Sequence, residues 1–592
     1  MPTPISQDAK KSLQDKIQQC DTLSHEEKST LYGLLSERKR YGLVWEDKPE
    51  QAYEQLRTQI PVFTEVPERR IMGSSADAPN HILIEGDNLH ALTAMQYTHA
   101  GKVDVIYIDP PYNTGNKDFS YQDSFKDEPD WIGREHLFRH STWLSFMEKR
   151  LKLAKTLLKE TGVIFISIDD NEQAQLKILC DKLFAENNFI GMFPWRSRTA
   201  KADVPFGVSV DVEWVLAYTV GSFIAGRDGE RKYFKTDDCT DRWRLQDSTT
   251  NKSKNERPNS FFTMVNPRNN AEYPADENRT WCVTVETFPS YVKQKKIVFP
   301  GDYPFLKIKR PAFRVFEQED KSKAKQKFGT DDIQMSVSTY LDDKTIGRTE
   351  TGTQELRAIF NQTIFGYPKP TTLIKFFINT CRNDSALILD FFAGSGTTLH
   401  ATMALNAEDG GKRQCILVTN NENEICEKVT YERNKRVIQG YTNSKGEQVP
   451  GLTDNSLRYY RTEFVTREIS LRNRFELTRK TLDLLCVKED CYTPRNDLSC
   501  QEFQVFEATA FMLFLVLNPD SIDDVIQVIA SQTKRCKVYV HSPDADPFSM
   551  DFDEICDKIE LHALPDSFHR ALREFLPDTN TDSVETAENQ DD

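Results

Sequence analysis

The chain has 592 residues, too many for one ordinary domain, and 38% of them are hydrophobic, enough for folded cores. Its net charge of −15 means that any contact with nucleic acid has to come from a local basic patch rather than from the overall sum. No apolar run approaches the roughly 18 residues of a membrane span, the first residues lack the apolar core of a secretory signal, and the 12 cysteines contain no CxxC pair, so the sequence predicts neither a membrane protein, a zinc site nor a disulfide framework, and a reducing cytoplasm fits best.

Residues 1–60 are expected to form a helical segment, with a capping-box pattern at Ser24–Glu27 ahead of Leu31, Leu34 and Leu35. Between 61 and 234 apolar runs alternate with helical periodicity: "HILIEGDNL" reads as strand and turn, "VDVIYIDPPY" as a second strand, "HSTWLSFMEKRLKLAKTLLKE" as a helix and "TGVIFISIDD" as a third strand. Residues 235–350 are polar, basic and aromatic, and the alternation in "TWCVTVETF" and "KKIVFPGDYPFLKIKR" predicts β-structure. Residues 251–330 carry 16 Lys/Arg against 9 Asp/Glu, with Lys293, Lys295 and Lys296 as the densest short cluster. Residues 351–445 return to α/β, with strand, Gly-rich turn and helix in "SALILDFFAGSGTTLHATMAL" and a further strand in "RQCILVTNNENE". Residues 446–577 hold a smaller α/β unit ("FMLFLVLN", "SIDDVIQVIASQ", "CKVYVH", "CDKIELHAL", "DSFHRALREFL"), and 578–592, with six acids and no base, read as a disordered acidic tail.

Two turns carry chemistry. In "VDVIYIDPPYNTG" a buried-type strand ends in Asp109, where open α/β sheets place their ligands. Pro110 and Pro111 stiffen the following backbone and present its carbonyls, and Tyr112 adds a flat stacking face. An ordinary strand-to-loop turn with a proline stop accounts for the same residues. In "LDFFAGSGTT" Asp390 ends a strand, Gly394 and Gly396 let a ligand approach the backbone, and Thr397 and Thr398 open a helix with free amides. No Lys follows these glycines as in a phosphate-binding GxxxxGK[ST] loop, and Leu399 occupies the third position of a GxGxxG dinucleotide turn. What remains is a ligand with an ammonium group for Asp390 and an adenosine for the later strands.

Taken together, "DPPYNTG" at 109–115 and "DFFAGSGTT" at 390–398 resemble the amino-group DNA methyltransferases that use S-adenosyl-L-methionine, and their order, catalytic motif before cofactor motif, is similar to the β class. The resemblance implies an α/β fold: a circularly permuted Rossmann-like methyltransferase sheet (61–234 and 351–445), an inserted target-recognition domain (235–350) and a small C-terminal α/β domain for dimerisation or a partner (446–577). It implies catalytic roles for Asp109, Pro110, Pro111 and Tyr112. It implies cofactor contacts from Asp87 and Asn88 in "GDN", Asp109, Lys369 in "YPKP", Asp390, Phe391, Phe392, Gly394, Gly396 and Thr397. Trp195, as a second aromatic beside the target base, Arg196, and the Lys293, Lys295 and Lys296 cluster are expected to meet DNA. The acid that often contacts the ribose is missing: Thr419, Asn420 and Asn421 follow the last strand.

Absence of any Pro-Cys dipeptide excludes a cytosine-C5 enzyme, and Asp in "DPPY" resembles the adenine-N6 enzymes, whereas cytosine-N4 enzymes more often carry Ser there. "RYGLVWEDKPE", "RWRLQD", "RPNSFF" and "CDKIELHALP" resemble modification subunits of type III restriction-modification systems. That resemblance implies duplex DNA as substrate, a homodimer and a separate ATP-dependent restriction subunit. A solitary methyltransferase, adenine-N6 or cytosine-N4, and a non-catalytic DNA-specificity subunit are the alternatives.

Overall fold

Asp104 sits inside a strand and is nonetheless buried, because its carboxylate joins three strands. It accepts hydrogen bonds from Lys159 Nζ at 2.8 Å and from the Leu387 amide at 2.9 Å. In this computed structural model the strands so joined belong to one nine-stranded sheet. The structure describes residues 16–17, 45, 50–75, 77–114, 139–199, 207–226, 233–328, 333, 335–468 and 470–577. Residues 1–47 form a unit of their own, and all that follows concerns residues 48–592. The capping box at 24–27, Gly115 and the acidic tail 578–592 lie outside the described residues.

The sheet contains β1 (Gln59–Glu65), β2 (Asn80–Glu85), β3 (Val103–Ile108), β4 (Leu158–Ile168), β5 (Phe189–Arg196), β6 (Val212–Thr219), β7 (Leu387–Asp390), β8 (Gln414–Thr419) and β9 (Ser456–Thr466). Their spatial order is β1-β9-β2-β8-β7-β3-β4-β6-β5. From β9 to β4 every neighbouring pair is parallel. The outer pairs β1–β9, β4–β6 and β6–β5 are antiparallel. Central parallel strands are covered on both faces, which is why β3 reads as a near-continuous apolar run: Val103, Val105, Ile106 and Ile108 have no exposed surface.

Helix α1 (Asn88–His99) follows β2, and α2 (Arg139–Leu157) precedes β4. The expected helix to Glu160 stops at Leu157, and Leu158 begins β4. Helix α3 (Gln173–Phe184) leads into β5, α4 (Thr349–Phe360) and α5 (Thr371–Asn379) precede β7, and α6 (Thr397–Asp409) follows it. Leu373, Ile374 and Phe377 of α5 pack with Val105, Tyr107 and Ile388 in one apolar cluster.

Two expected domain edges move. β1 starts at Gln59, so the sheet reaches into the segment expected to be helical up to 60, of which Gln51–Gln55 is a helix. β9 lies between β1 and β2, so residues 456–466, assigned from sequence to the C-terminal unit, complete the main sheet. The C-terminal unit proper has a five-stranded sheet, Thr493–Pro494, Phe503–Glu507, Phe511–Val516, Arg535–His541 and Ile559–Leu564 in chain order, with its own apolar cluster. Its last helix, Asp566–Leu572, sets Phe568 edge-on against Tyr97 of α1, centroids 5.0 Å apart.

The insertion also differs from its pattern. It has a three-stranded sheet, Ile297–Val298, Ala312–Phe316 and Trp243–Asp247, and a two-stranded one, Met264–Val265 with Glu272–Tyr273. "TWCVTVETF" forms no strand, only an isolated bridge from Trp281 to Thr249. Trp281 and Val283 are buried with Met264, Ile297, Phe299 and Phe313, so the alternating side chains fill a small separate core from a turn-rich backbone.

One buried charge ties the start of this unit to the sheet. Arg150 of α2 has no exposed surface; its guanidinium bonds Glu50 Oε1 at 2.6 Å and Oε2 at 3.1 Å, and its Nε bonds Asn88 Oδ1 at 2.5 Å. Breaking a buried pair costs more than the pair contributes, because the remaining charge stays desolvated. Arg150→Leu is expected to lower unfolding stability by about 3–5 kcal/mol, and Arg150→Leu with Glu50→Leu to recover part of that loss, both measured by urea denaturation.

Candidate active site

Four parallel neighbours, β2, β8, β7 and β3, run in the same direction, so the segments after them meet at one edge of the sheet. That edge collects Gly86–Asn88, Thr419–Asn421, the Gly-rich turn and Asp109–Tyr112, the position where such sheets bind ligands.

The Asp109–Tyr112 turn is held by its surroundings. The Pro111 carbonyl accepts from Trp143 Nε1 of α2 at 2.7 Å. Asn113 has φ of 55° and is buried, and its side-chain amide donates to Glu172 Oε1 at 2.5 Å. His140 Nδ1 lies 2.7 Å from the same oxygen. Pro110 is buried, whereas Asp109 and Tyr112 keep part of their surface.

Around Asp109 lies a cluster of charges. Tyr112 Oη is 2.8 Å from Asp109 Oδ1 and 3.0 Å from Glu213 Oε2. Lys369 Nζ is 3.1 Å from Asp109 Oδ2, 3.1 Å from Glu213 Oε2 and 2.8 Å from Tyr112 Oη. Burial pushes the Lys369 ammonium toward neutrality, but the two carboxylates more than offset it and raise its pKa. Burial likewise pushes Glu213 up, and Lys369 reverses this to a net lowering. Burial and then the Asp109 and Glu213 charges lift the Tyr112 hydroxyl well above its usual value, so it remains a donor. Lys369, expected from the resemblance to contact the cofactor, is only 8% exposed and sits against the Asp109–Tyr112 turn.

The Gly-rich turn is built from inside. Asp390 Oδ1 accepts from the Phe392 amide at 3.0 Å and Oδ2 from Thr398 Oγ1 at 2.5 Å, so both of its oxygens serve the turn. Its burial lifts the carboxyl to about 7. Asp390 thus braces the turn from within. Phe391 and Phe392 are both buried, and the Phe391 carbonyl accepts from Asn88 Nδ2 at 2.9 Å. Asp87 caps α1 through the Leu89 amide at 2.7 Å and reaches Arg150 at 3.3 Å.

The two glycines are needed for different reasons. Gly394 has φ of 49°, and a Cβ there would meet only Phe365 Cζ at 3.5 Å and the Phe392 carbonyl at 3.8 Å, so the space above it is open. Gly396, with φ of 73°, would put a Cβ 2.5 Å from Asn434 Nδ2 and 3.2 Å from the Thr430 carbonyl, so it permits close packing. Beneath the turn, buried Arg433 donates from Nη1 to Thr397 Oγ1 at 2.7 Å and to Ser395 Oγ at 3.1 Å.

The expected DNA-facing residues divide. Trp195 is 1% exposed and donates to the Gly347 carbonyl at 2.9 Å, so it is a wall of the core rather than a free stacking face. Lys369 Nζ lies 5.5 Å from its ring centre, which places that wall directly behind the charge cluster. Arg196 is exposed, with Asp211 at 3.7 Å. Lys293 is exposed, but Lys295 bonds the Asp238 carbonyl at 2.5 Å and Lys296 pairs with Glu319 at 2.7 Å, so the three lysines are not an open patch. Glu213 stands out in the sequence only as a charge within an apolar stretch, and Glu172, Arg150 and Arg433, each set among other polar or charged residues, carry no signal there.

Glu172 is fully buried, its Oε2 has no hydrogen-bond partner among the described residues, and burial lifts its carboxyl from 4.5 to about 8. A folded-state pKa above the unfolded one means that the folded protein holds the extra proton, so this stabilising contribution is complete below about pH 4.5 and is lost as pH rises to about 8. Glu172→Gln is expected to match the wild type near pH 4.5 and to become progressively more stable than it up to pH 8, measured by urea denaturation at a series of pH values.

The DNA methylase family model (N6_N4_Mtase) matches residues 103–439, more than half of the chain and inclusive of both turns. The Mod subunit of the type III restriction-modification enzyme StyLTI of Salmonella typhimurium is 32% identical over 380 residues, 60% of this chain and 55% of that protein. The type II methyltransferase M.KpnI of Klebsiella pneumoniae is 31% identical over 379 residues, 63% of this chain and 88% of that protein. The EcoPI Mod subunit of Escherichia phage P1 is 29% identical over 470 residues, 70% and 68% of the two chains. The chain thus spans about half the length of the StyLTI Mod subunit. With the family match running from the strand before Asp109 through the Gly-rich turn and its supporting helix, the chain belongs to the DNA methylase family.

Proposed function

We propose that this chain methylates the N6 amine of adenine in duplex DNA, using S-adenosyl-L-methionine, as the modification subunit of a type III restriction-modification system. The observation that carries the reading is the side-by-side placement of the Asp109–Tyr112 turn and the Gly-rich turn at the ends of adjacent parallel strands. Adenine rather than cytosine follows from Asp in "DPPY", and the type III assignment from the likeness to the StyLTI and EcoPI Mod subunits.

The open space above Gly394, with the Asp87–Asn88 segment on the neighbouring side, fits a cofactor that approaches the backbone. Bound there, S-adenosyl-L-methionine supplies an electrophilic sulfonium methyl group. An adenine amine is conjugated with its ring and is a weak nucleophile. Hydrogen bonds from that amine to the Asp109 carboxylate and the Pro110 carbonyl localise its lone pair for direct attack. The base has to leave the duplex to reach this edge, and Tyr112 gives it a stacking face worth about 1–3 kcal/mol. Asp109→Ala is expected to lower methyl transfer at least about 100-fold while leaving cofactor binding, measured by calorimetry, largely intact. Wild-type turnover in that variant overturns the reading.

Recognition is assigned to the insertion, which has a core of its own and lies between the two halves of the sheet, a length of chain that usually carries a function. Arg242, Arg244 and Arg314 are already engaged by Glu317, Asp320 and Asp238. Lys307, Lys309 and Arg310 are exposed and have no ion-pair partner among the described residues, so they are the better candidates for phosphate contact. Replacing all three by Gln is expected to weaken binding to every DNA sequence alike and to reduce the slope of log K against log salt by about two to three. An unchanged slope places phosphate contact elsewhere.

The likeness to M.KpnI favours a second reading, a methyltransferase that acts without a nuclease partner. Co-purification of an ATP-hydrolysing restriction subunit with the tagged chain separates the two.

A further inference from the structure

The methylation reading leaves one feature of the site unexplained. Asp109 has to accept the target amine, yet both of its oxygens are engaged: Oδ1 by the Tyr112 hydroxyl and Oδ2 by the Lys369 ammonium. Releasing either group into a buried site without another acceptor is costly. A cation held on Asp109 also opposes the reaction, because positive charge builds on the amine nitrogen as the methyl group arrives and the carboxylate has to face that charge.

Glu213 answers both difficulties. Its Oε2 is within hydrogen-bond distance of both groups, 3.0 Å from Tyr112 Oη and 3.1 Å from Lys369 Nζ. It stands on β6 directly opposite Trp195 of β5, the buried wall behind the cluster, so its position is set by sheet register and not by a loop. One ammonium between two carboxylates leaves the cluster one net negative charge, the sign that suits a developing cation.

We propose that Glu213 is a positioning residue that takes over Lys369 and Tyr112 when Asp109 engages the target amine, and so frees the Asp109 carboxylate for the reaction. This rests on the methyltransferase reading above. Glu213 does not touch the base; it acts through Lys369 and Tyr112. Without its charge, Lys369 has Asp109 as its remaining carboxylate and holds it. The same logic predicts that removing the lysine relieves the loss of the glutamate, which a merely structural role for Glu213 does not.

The test uses the full chain, unmethylated genomic DNA and S-adenosyl-L-methionine with a labelled methyl group, at saturating concentrations of both. Glu213→Gln is close in shape to the wild type, and retention of the fold is checked by circular dichroism. Its turnover is expected to fall about tenfold, with cofactor affinity by calorimetry within about twofold. Glu213→Gln combined with Lys369→Met is expected to turn over faster than Glu213→Gln alone. Wild-type turnover in Glu213→Gln, or a double variant slower than the single one, overturns the proposal while the functional reading stands. If the wild type itself transfers no methyl group to DNA, the functional reading falls and this proposal with it.

Discussion

The parallel pairing of Val105 and Ile106 with Ile388 and Leu389 is the joint on which the site depends. It sets two strands that lie far apart in the chain next to each other and in the same direction. Asp109 and the Gly-rich turn then leave the sheet at the same edge. Asp104 secures the joint from within β3, through Lys159 on one side and the Leu387 amide on the other. The 235–350 segment, which separates these strands in the chain, leaves the pairing intact and carries its own core.

Around the joint, the protein keeps several charges out of water and compensates each locally. Arg150 links Glu50, Asp87 and Asn88, and Asn88 in turn holds the Phe391 carbonyl at the foot of the Gly-rich turn. Arg433 supports the other side of that turn through Ser395 and Thr397. Lys369 lies between Asp109 and Glu213. Desolvated charges of this kind contribute little net stability, but they define one arrangement sharply, because every alternative leaves one of them unpaired. A site that has to hold two reacting groups in line uses that property.

The motifs were legible because their chemistry is local. A buried strand stopping on Asp-Pro-Pro-Tyr and a second one opening into Gly-x-Gly-Thr-Thr state their roles within a few residues, and the structure sets both at one sheet edge. Strand positions along β3, β4, β7 and β8 were legible for the same reason, since strands buried on both faces are nearly all apolar. Local pattern failed where burial was decided from afar. The alternation of "TWCVTVETF" suggested a strand, but Trp281 and Val283 are buried without one, by packing against Met264 and Phe313. Trp195 suggested a stacking face, and its register on β5 turned it into the core.

By itself, then, the sequence determined the α/β class, the two turns and the chemical kinds of residue they present, all of which follow from short-range patterns of polarity and backbone freedom. Only the tertiary structure decided which charges meet. Glu213 lies on a strand beyond β4, Lys369 ahead of α5 and Asp109 after β3, and no spacing in the chain relates them. Their encounter within 3.1 Å depends on strand order and register. The physical reason is the one that governs buried charge generally: a lone ammonium or carboxylate is ordinary on a surface and becomes decisive only when folding removes its water and leaves a specific partner in its place.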